Sequence, residues 1–563
     1  MIIYLRVVAI SPDTAKTTGT ESEMDLREQL ALAQTVIDRL TEERDKLRAA
    51  HERLYLEMEL LRRRIYVAKA ERVDTRQLEM EFAEKLAELD RLSDLPDELK
   101  KKTKEKKKAK PTGRRDLRKA PLEEERIELF DSLFEDLVAR GEAERISFEE
   151  TYKVAFKRGG LRRLVIARAK YRAINSLGNS EIETTPMPPE LFPRLLAAPS
   201  MLARVATEKH CDGMPLFRLE DRFTREGFPL DRGTMCRWLH DMGMALGSTI
   251  VEAARKEAMS GAFCIATDAT GVAVQPEPRE DKKRQSCRKG HFFVVLADRD
   301  HIFFEYTPKE TSAFVSKMFE GYTGYIQADA KSVYDVLFRK PGRDPPKEWK
   351  EKVEVACWSH CRRGFWEATV AKSAVAREGL ARIGRIFEVD GCFRGKPAKQ
   401  IKRLRNAHLC PHMEAFFEWV KVEYEKVKEQ RGILRSALGY ALRQEEALKR
   451  VLEDGRLVLD NNRSEREARR IATGRKAWLF VGSDDHGVNA GHIFSLIASA
   501  RLHGLDPEGY LRDVLRILPH WPEDRYLELS PKYWKETRAR LNSDELAKEI
   551  APLTVPEPLT RRE

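Results

Sequence analysis

The sequence predicts a multidomain α+β protein. Three observations carry that expectation. At 563 residues the chain exceeds the usual size of one domain. A seven-residue apolar repeat runs along residues 22 to 67, the period of a helical seam. From residue 262 to residue 358, short apolar runs of strand character alternate with helical stretches, the pattern of a sheet covered by helices.

Composition narrows the partners. Hydrophobic residues make up 42% of the chain, enough for a sizeable core. Charged residues are 35%, against roughly 25% in an average domain. The net charge of +11 is concentrated: between Lys100 and Arg115 stand eight Lys, two Arg and one Glu, a net of +9. Such a run suits a nucleic-acid backbone, because Lys and Arg release counterions from phosphates. A solvated linker is the plainer alternative. Lys100, Lys101, Lys102, Lys106, Lys107, Lys108, Arg114 and Arg115 are the candidate DNA contacts of this run. Eight cysteines, none before Cys211, do not make a disulfide framework. There is no stretch of 18 apolar residues and no secretory cleavage pattern after Ile2–Ile10, so the expectation is a cytoplasmic chain without a membrane span.

The N-terminal seam is specific. Leu26, Ala33, Leu40, Leu47, Leu54 and Leu61 recur every seven residues, with Leu30, Ile37, Met58 and Ile65 at the alternate position and Arg44 and His51 as polar exceptions. This predicts a coiled coil over residues 22–70 and self-association to at least a dimer. Residues 92–120, charged and broken by Pro96, Pro111 and Gly113, read as a basic flexible linker. Residues 121–142 read as helix, with Leu129, Leu133 and Leu137 on one face, and residues 146–174 as a small β module, the two lying within a domain of residues 121–195. Residues 196–250 read as helices with a turn at Gly227-Phe-Pro-Leu-Asp and Asp231 as N-cap, which resembles a helix-turn-helix.

Residues 256–515 then carry the alternation. Strands are expected at 262–274, 291–296 and 301–306, a helix at 312–320, a strand at 324–328, a helix at 331–338 and a strand at 352–358. Three strands followed by helix–strand–helix–strand is the order of the ribonuclease H-like fold. A long helical insertion follows at about 365–452, with a break near Gly391–Pro397, and residues 516–563 are expected to form a C-terminal tail.

Several motifs in this region are distinctive. Leu459-Asp-Asn-Asn-Arg-Ser-Glu-Arg-Glu-Ala-Arg-Arg is followed by Gly474-Arg-Lys-Ala-Trp-Leu-Phe-Val-Gly-Ser. Ahead of them, in order, stand Ile265-Ala-Thr-Asp-Ala-Thr, Gly324-Tyr-Ile-Gln-Ala-Asp and Ala356-Cys-Trp-Ser-His-Cys-Arg-Arg; Gly504-Leu-Asp-Pro-Glu-Gly-Tyr-Leu comes after. Together the set resembles the IS sixty-six family of bacterial insertion-sequence DDE transposases, over about residues 22 to 535.

Carried over residue by residue, the resemblance places the catalytic triad on Asp268, Asp329 and Glu465, which would also be the metal ligands. It implies two Mg2+ ions, with Mn2+ able to substitute. The chemistry agrees: phosphodiester cleavage and transfer call for hard cations clamping the attacking and leaving oxygens, and hard cations take carboxylate oxygens. Asp268 would end a central strand, Asp329 would end a neighbouring one, and Glu465 would reach the same crevice from a helix. Asp460, Asn461 and Asn462 read as the N-cap of that helix.

His360, Arg362, Arg363, Arg466, Arg469 and Lys476 are further candidate DNA contacts, with a core histidine and a solvated helix face as the plainer readings. Cys357, His360 and Cys361 have poor spacing for zinc, and no zinc is expected. The implied function is metal-dependent cleavage of transposon ends and strand transfer into target DNA, on double-stranded DNA, with small accessory proteins of the same element as further partners.

Two departures stand out. Residues 121–200 hold no cysteine where the family has a zinc ribbon, so a degenerate, zinc-free ribbon-like module is expected there. Ala269 stands where the family commonly has Glu. Two other functions use the same residues: a retired transposase acting as a DNA-binding regulator, and a ribonuclease H-like nuclease that cuts without joining.

Overall fold

The computed structural model describes residue 34 and residues 122–157, 160–174, 180–276, 285–338, 352–370 and 373–559. The coiled coil expected at 22–70, Gln34 apart, and the basic run at 92–120 lie outside the described residues. The chain divides into two compact units. One comprises residues 1–107, 364–377 and 426–436; its described parts outside Gln34 are mostly helical. The other comprises residues 108–363, 378–425 and 437–563 and holds two mixed sheets.

The first sheet has four strands. β1 (Glu123–Leu129) runs parallel to β3 (Gly160–Ile174), β2 (Ala143–Lys157) pairs antiparallel along the other edge of β3, and β4 (Ser180–Thr184) pairs antiparallel with β3 beyond β1. The strand β1 corrects the helix expected over 121–142; only α1 (Ser132–Ala139) is helical there. Charge pairing across the sheet explains the difference. Glu123 and Glu124 lie opposite Arg162 and Arg163 and form ion pairs with them, and Arg126 reaches Glu150 at 2.6 Å. Opposite charges directly across a sheet stabilise the strand, a term that local helical periodicity cannot register. Leu129 is buried while Leu133 is 73% exposed, so the three leucines do not form one buried face.

Helices α2 (Pro199–His210), α3 (Leu216–Arg225), α4 (Arg232–Leu246) and α5 (Glu252–Gly261) follow. Asp231 caps α4 as expected, its carboxylate accepting from the Thr234 N–H at 3.1 Å.

The second sheet has six strands among the described residues. β5 (Cys264–Val274), β6 (Arg288–Ala297) and β7 (His301–Thr307) form an antiparallel meander. After α6 (Ser312–Met318), β8 (Tyr325–Ala328) and β9 (Val353–Ala356) add in parallel beyond β5. The strand expectations at 262–274, 291–296, 301–306 and 324–328 match these elements within a few residues. A helical series follows: α7 (Trp358–Val370), α8 (Ala374–Gly391), α9 (Cys410–Val427) and α10 (Ile433–Arg443).

The chain returns to the sheet through α11 (Asn462–Trp478), β10 (Phe480–Val481), α12 (Asp484–Leu502) and α13 (Pro507–Ile517). α12 covers the free edge of β7. Ser495 Oγ accepts from the Phe304 N–H at 2.8 Å and Ser499 Oγ from the Ile302 N–H at 2.9 Å, so side chains stand where a further strand would pair. Gly491 makes the approach possible, since a Cβ there would lie 2.3 Å from the Phe304 carbonyl oxygen. Residues 516–559, expected as a tail, are packed: Ile517, Leu518, Trp521, Leu529 and Trp534 belong to the large core that also takes in α2 to α4. Among the described residues no helix is long and apolar enough to cross a membrane.

Candidate active site

The register of the second sheet aligns two acids. β5 and β8 pair as Cys264 with Tyr325, Ile265 with Ile326 and Ala266 with Gln327. Two steps further along the same offset fall Asp268 and Asp329. Asp329 follows the last residue of β8 as expected. Asp268 does not end its strand: β5 continues to Val274, held by β6 along its other edge and by β10 at Ala273 and Val274. What ends at Ala266 is the pairing with β8. Asp268 therefore sits where the β5–β8 edge opens, while its backbone stays rigid.

A third acid, Glu465, arrives on the first turn of α11, and the segment before that helix is strapped to the end of β8, to the residues that follow β9 and to β5. Gln327 donates to the Val458 carbonyl at 2.7 Å, the Trp358 N–H to the Leu459 carbonyl at 2.9 Å, and the Asn461 N–H to Cys357 Sγ at 3.3 Å. Asn461, almost fully buried, donates its side-chain amide to the Thr267 carbonyl at 2.7 Å. Asn461 occupies the N-cap position without a side-chain cap bond. Its amide ties the first turn of α11 to β5, next to Asp268. Asp460 accepts instead from the Asn462 N–H at 3.1 Å. Trp358, fully buried, anchors the helical series behind this strap: its indole N–H donates to the Leu448 carbonyl at 3.0 Å and its ring packs on Phe416 and Phe417.

Asn461→Ala is expected to lower the unfolding free energy by about 1–3 kcal/mol, since it leaves the Thr267 carbonyl buried without a donor. It should also weaken divalent-ion binding by freeing Glu465. Thermal unfolding with and without Mg2+ checks both; an unchanged Mg2+-induced rise in Tm would disprove the positioning role.

The result is a cleft of about 550 Å³ lined by Asp268, Asp329 and Glu465 together with Lys331, His360, Arg363 and Arg469. Burial pushes the Asp268 carboxyl above the usual carboxylate range, and the neighbouring Asp329 and Glu465 add to the rise. Its Oδ1 accepts from the Ala269 N–H at 2.8 Å, which opposes the shift. Asp329 Oδ2 lies 3.2 Å from Lys331 Nζ. Burial works against the Lys331 ammonium, but Asp329 and Glu310 outweigh it and hold its pKa above the usual lysine value. His360 Nε2 stands 3.6 Å from Glu465 Oε1, and burial pushes the imidazole down, toward the neutral form. Asp329 Oδ1 and Glu465 Oε1 are buried with no hydrogen-bond partner. Buried, unpaired carboxylate oxygens in one cleft are costly alone and match the donor set of a hard divalent cation.

The site gathers the three acids with His360, Arg363 and Arg469. Arg362, Arg466 and Lys476 are exposed outside its lining. Lys331 escaped the sequence reading; its signal is a cation two residues after Asp329, which the register brings into the cleft. Ligand atoms of Cys357, His360 and Glu465 come within 4.8 Å of one another; Cys361 is buried and its thiol is pushed well up by burial.

The cleft at the open edge of the mixed sheet thus gathers the oxygen donors that a hard cation takes. Comparison with known proteins gives the family. Residues 194–489 match the model described as "Transposase IS66 family", and residues 495–531 match the "IS66 C-terminal element". The chain belongs to the IS66 family of transposases.

Similar proteins include two from Sinorhizobium fredii (strain NBRC 101917 / NGR234), "Uncharacterized protein y4qI" and "Uncharacterized protein y4hP", each 26% identical. The matches cover 62% and 64% of this chain and 65% and 66% of those proteins, so this chain spans just under two thirds of their length.

Proposed function

We propose that this chain is the DNA transposase of an insertion sequence, cutting the element's ends and joining them to target DNA with Asp268, Asp329 and Glu465. The observation that carries the reading is the convergence of these acids, from β5, the end of β8 and the first turn of α11, on one cleft with two carboxylate oxygens left unpaired. In this reading the second sheet is the core of a ribonuclease H-like domain, with its meander followed by two parallel strands and a helical insertion before the glutamate.

The three carboxylates would hold two Mg2+ or Mn2+ ions. The ions, when bound, would neutralise developing charge on the attacking and leaving oxygens of the phosphodiester. The chain's own groups do the remainder. Asn461 and the β5–β8 register fix the carboxylates, so little reorganisation is needed during reaction. Lys331 holds Asp329 in place and balances its charge. Arg363 and Arg469, at the cleft wall, are placed to bind phosphates flanking the scissile bond. His360, kept neutral by burial, can donate or accept one hydrogen bond beside Glu465.

Double-stranded DNA is the substrate, the coiled coil at 22–70 pairs protomers so that two ends meet, α3 and α4 are the helix-turn-helix candidate for end recognition, and small proteins of the same element are accessory partners.

The test is cleavage and joining of labelled DNA carrying the ends that flank this gene, comparing wild type with Glu465→Gln in Mg2+ and in EDTA. A joined product that needs Mg2+ and disappears in the variant, with DNA binding retained, is expected. Binding without cleavage by the wild type would sink the reading in favour of a regulator, and cleavage without joining would make the protein a nuclease.

A further inference from the structure

The helix that carries Glu465 runs well past the cleft. Its exposed residues Arg466, Arg469, Thr473 and Lys476 are spaced three, four and three apart, so they form one stripe on the solvent side. Among the described residues, none of these three cations has an acidic partner. Arg470, on the flank of the same helix, is paired with Glu467 at 2.5 Å, and the arginines of the first sheet are paired across their strands. Three cations without an acidic partner thus line the face of α11 that leads away from the acids.

The stripe continues beyond the helix end to two apolar side chains held in the open, Leu479 at 63% and Phe480 at 41% exposure. Leu479 has φ 68° and ψ −51°, a positive-φ conformation that a leucine rarely adopts. Its surroundings hold it there. The Leu479 N–H donates to the Arg475 carbonyl at 2.9 Å, Phe480 and Val481 pair with Ala273 and Val274, and the Arg475 side chain donates to the Gly271 carbonyl. A rigid mount that presents strained, exposed apolar side chains at the end of a cationic stripe calls for a partner that is both anionic and apolar.

We propose that this face of α11 is a rail for duplex DNA leaving the cleft, with Arg466, Arg469 and Lys476 on backbone phosphates and Leu479–Phe480 inserted as an apolar wedge at a base step. The proposal rests on the transposase reading. From Glu465 to Leu479 the helix rises about 21 Å, or about six base pairs of duplex at 3.4 Å each. The wedge would therefore act several base pairs from the scissile phosphate, where apolar insertion unstacks and bends DNA. Leu479 and Phe480 are positioning residues here, and they touch no reacting atom.

The experiment is fluorescence anisotropy of the full chain in EDTA, titrated onto a fluorescein-labelled duplex of the terminal DNA flanking this gene, over a range of salt. Combining Arg466→Gln, Arg469→Gln and Lys476→Gln should lower the slope of log affinity against log salt by about 3, near 0.9 for each lost phosphate contact. Leu479→Gly should weaken binding about tenfold with little change in slope. Because glycine accepts the positive φ, its Tm should hold or rise, which separates lost contact from lost fold.

A wild-type slope in the triple variant overturns the rail. Wild-type affinity in Leu479→Gly overturns the wedge. If the wild type fails to bind this duplex at all, the transposase reading falls and takes the rail with it. If the wild type binds and both variants match it, only the rail and wedge fall.

Discussion

Asp268→Asn is expected to abolish DNA cleavage, by about 10³-fold or more, while making the metal-free protein no less stable. The activity loss follows from removing a carboxylate that no neighbour can replace, where cation stabilisation of the transition state contributes several kcal/mol. The stability effect has the opposite sign. Asp268 is largely buried beside Asp329 and Glu465, which is why its pKa lies above the usual range. Its charged form is held in an unfavourable place, and a neutral amide of the same shape relieves the repulsion. In wild type a bound divalent ion would supply that relief, so Mg2+ should raise Tm in wild type and raise it less in the variant. Paired measurements of cleavage rate and of Tm with and without Mg2+ decide the matter. Full cleavage by the variant, or an identical Mg2+ response, would remove Asp268 from the site.

The largest effect on folding should come from the sheet edge. Ser495→Ala combined with Ser499→Ala leaves the N–H groups of Phe304 and Ile302 buried without acceptors. Each unpaired group costs about 1–3 kcal/mol, so the pair is expected to cost about 2–6 kcal/mol. The loss falls on α12, which closes the β7 edge and packs Phe494 against Phe292 and Phe304. Urea unfolding followed by tryptophan fluorescence reads the change. A double variant within about 0.5 kcal/mol of wild type, the usual range of a neutral surface substitution, would mean that water replaces both hydroxyls and that the edge is not closed by these serines.

Much of the second sheet was legible in the sequence because its signals are local. The meander β5–β7 reads as runs such as His291-Phe-Phe-Val-Val-Leu and His301-Ile-Phe-Phe-Glu-Tyr, and all of these residues but His291 and Glu305 are buried on strands. The cap of α4 was legible for the same reason, since Asp231 acts three residues away. The helix expected over 121–142 failed where the deciding term was not local. Glu123 and Glu124 are held as strand by Arg162 and Arg163, which lie 39 residues on. The three acids were legible through resemblance, and the spacing alone would not have joined them.

By itself, the sequence determined which segments are strands and helices through most of the second sheet, where the basic charge lies, and which family the chain joins, because apolar period, charge and motif are carried by neighbours along the chain. Only the tertiary structure decided that Asp268 stands in mid-strand and not at a strand end, that Asn461 donates its amide N–H to β5 while its amide oxygen accepts from Ser464, that Lys331 belongs to the cleft, and that Leu479 is held exposed at positive φ. Each of these depends on atoms brought together from far apart in the chain, where the balance of burial against an available partner is set by the fold and not by adjacent residues.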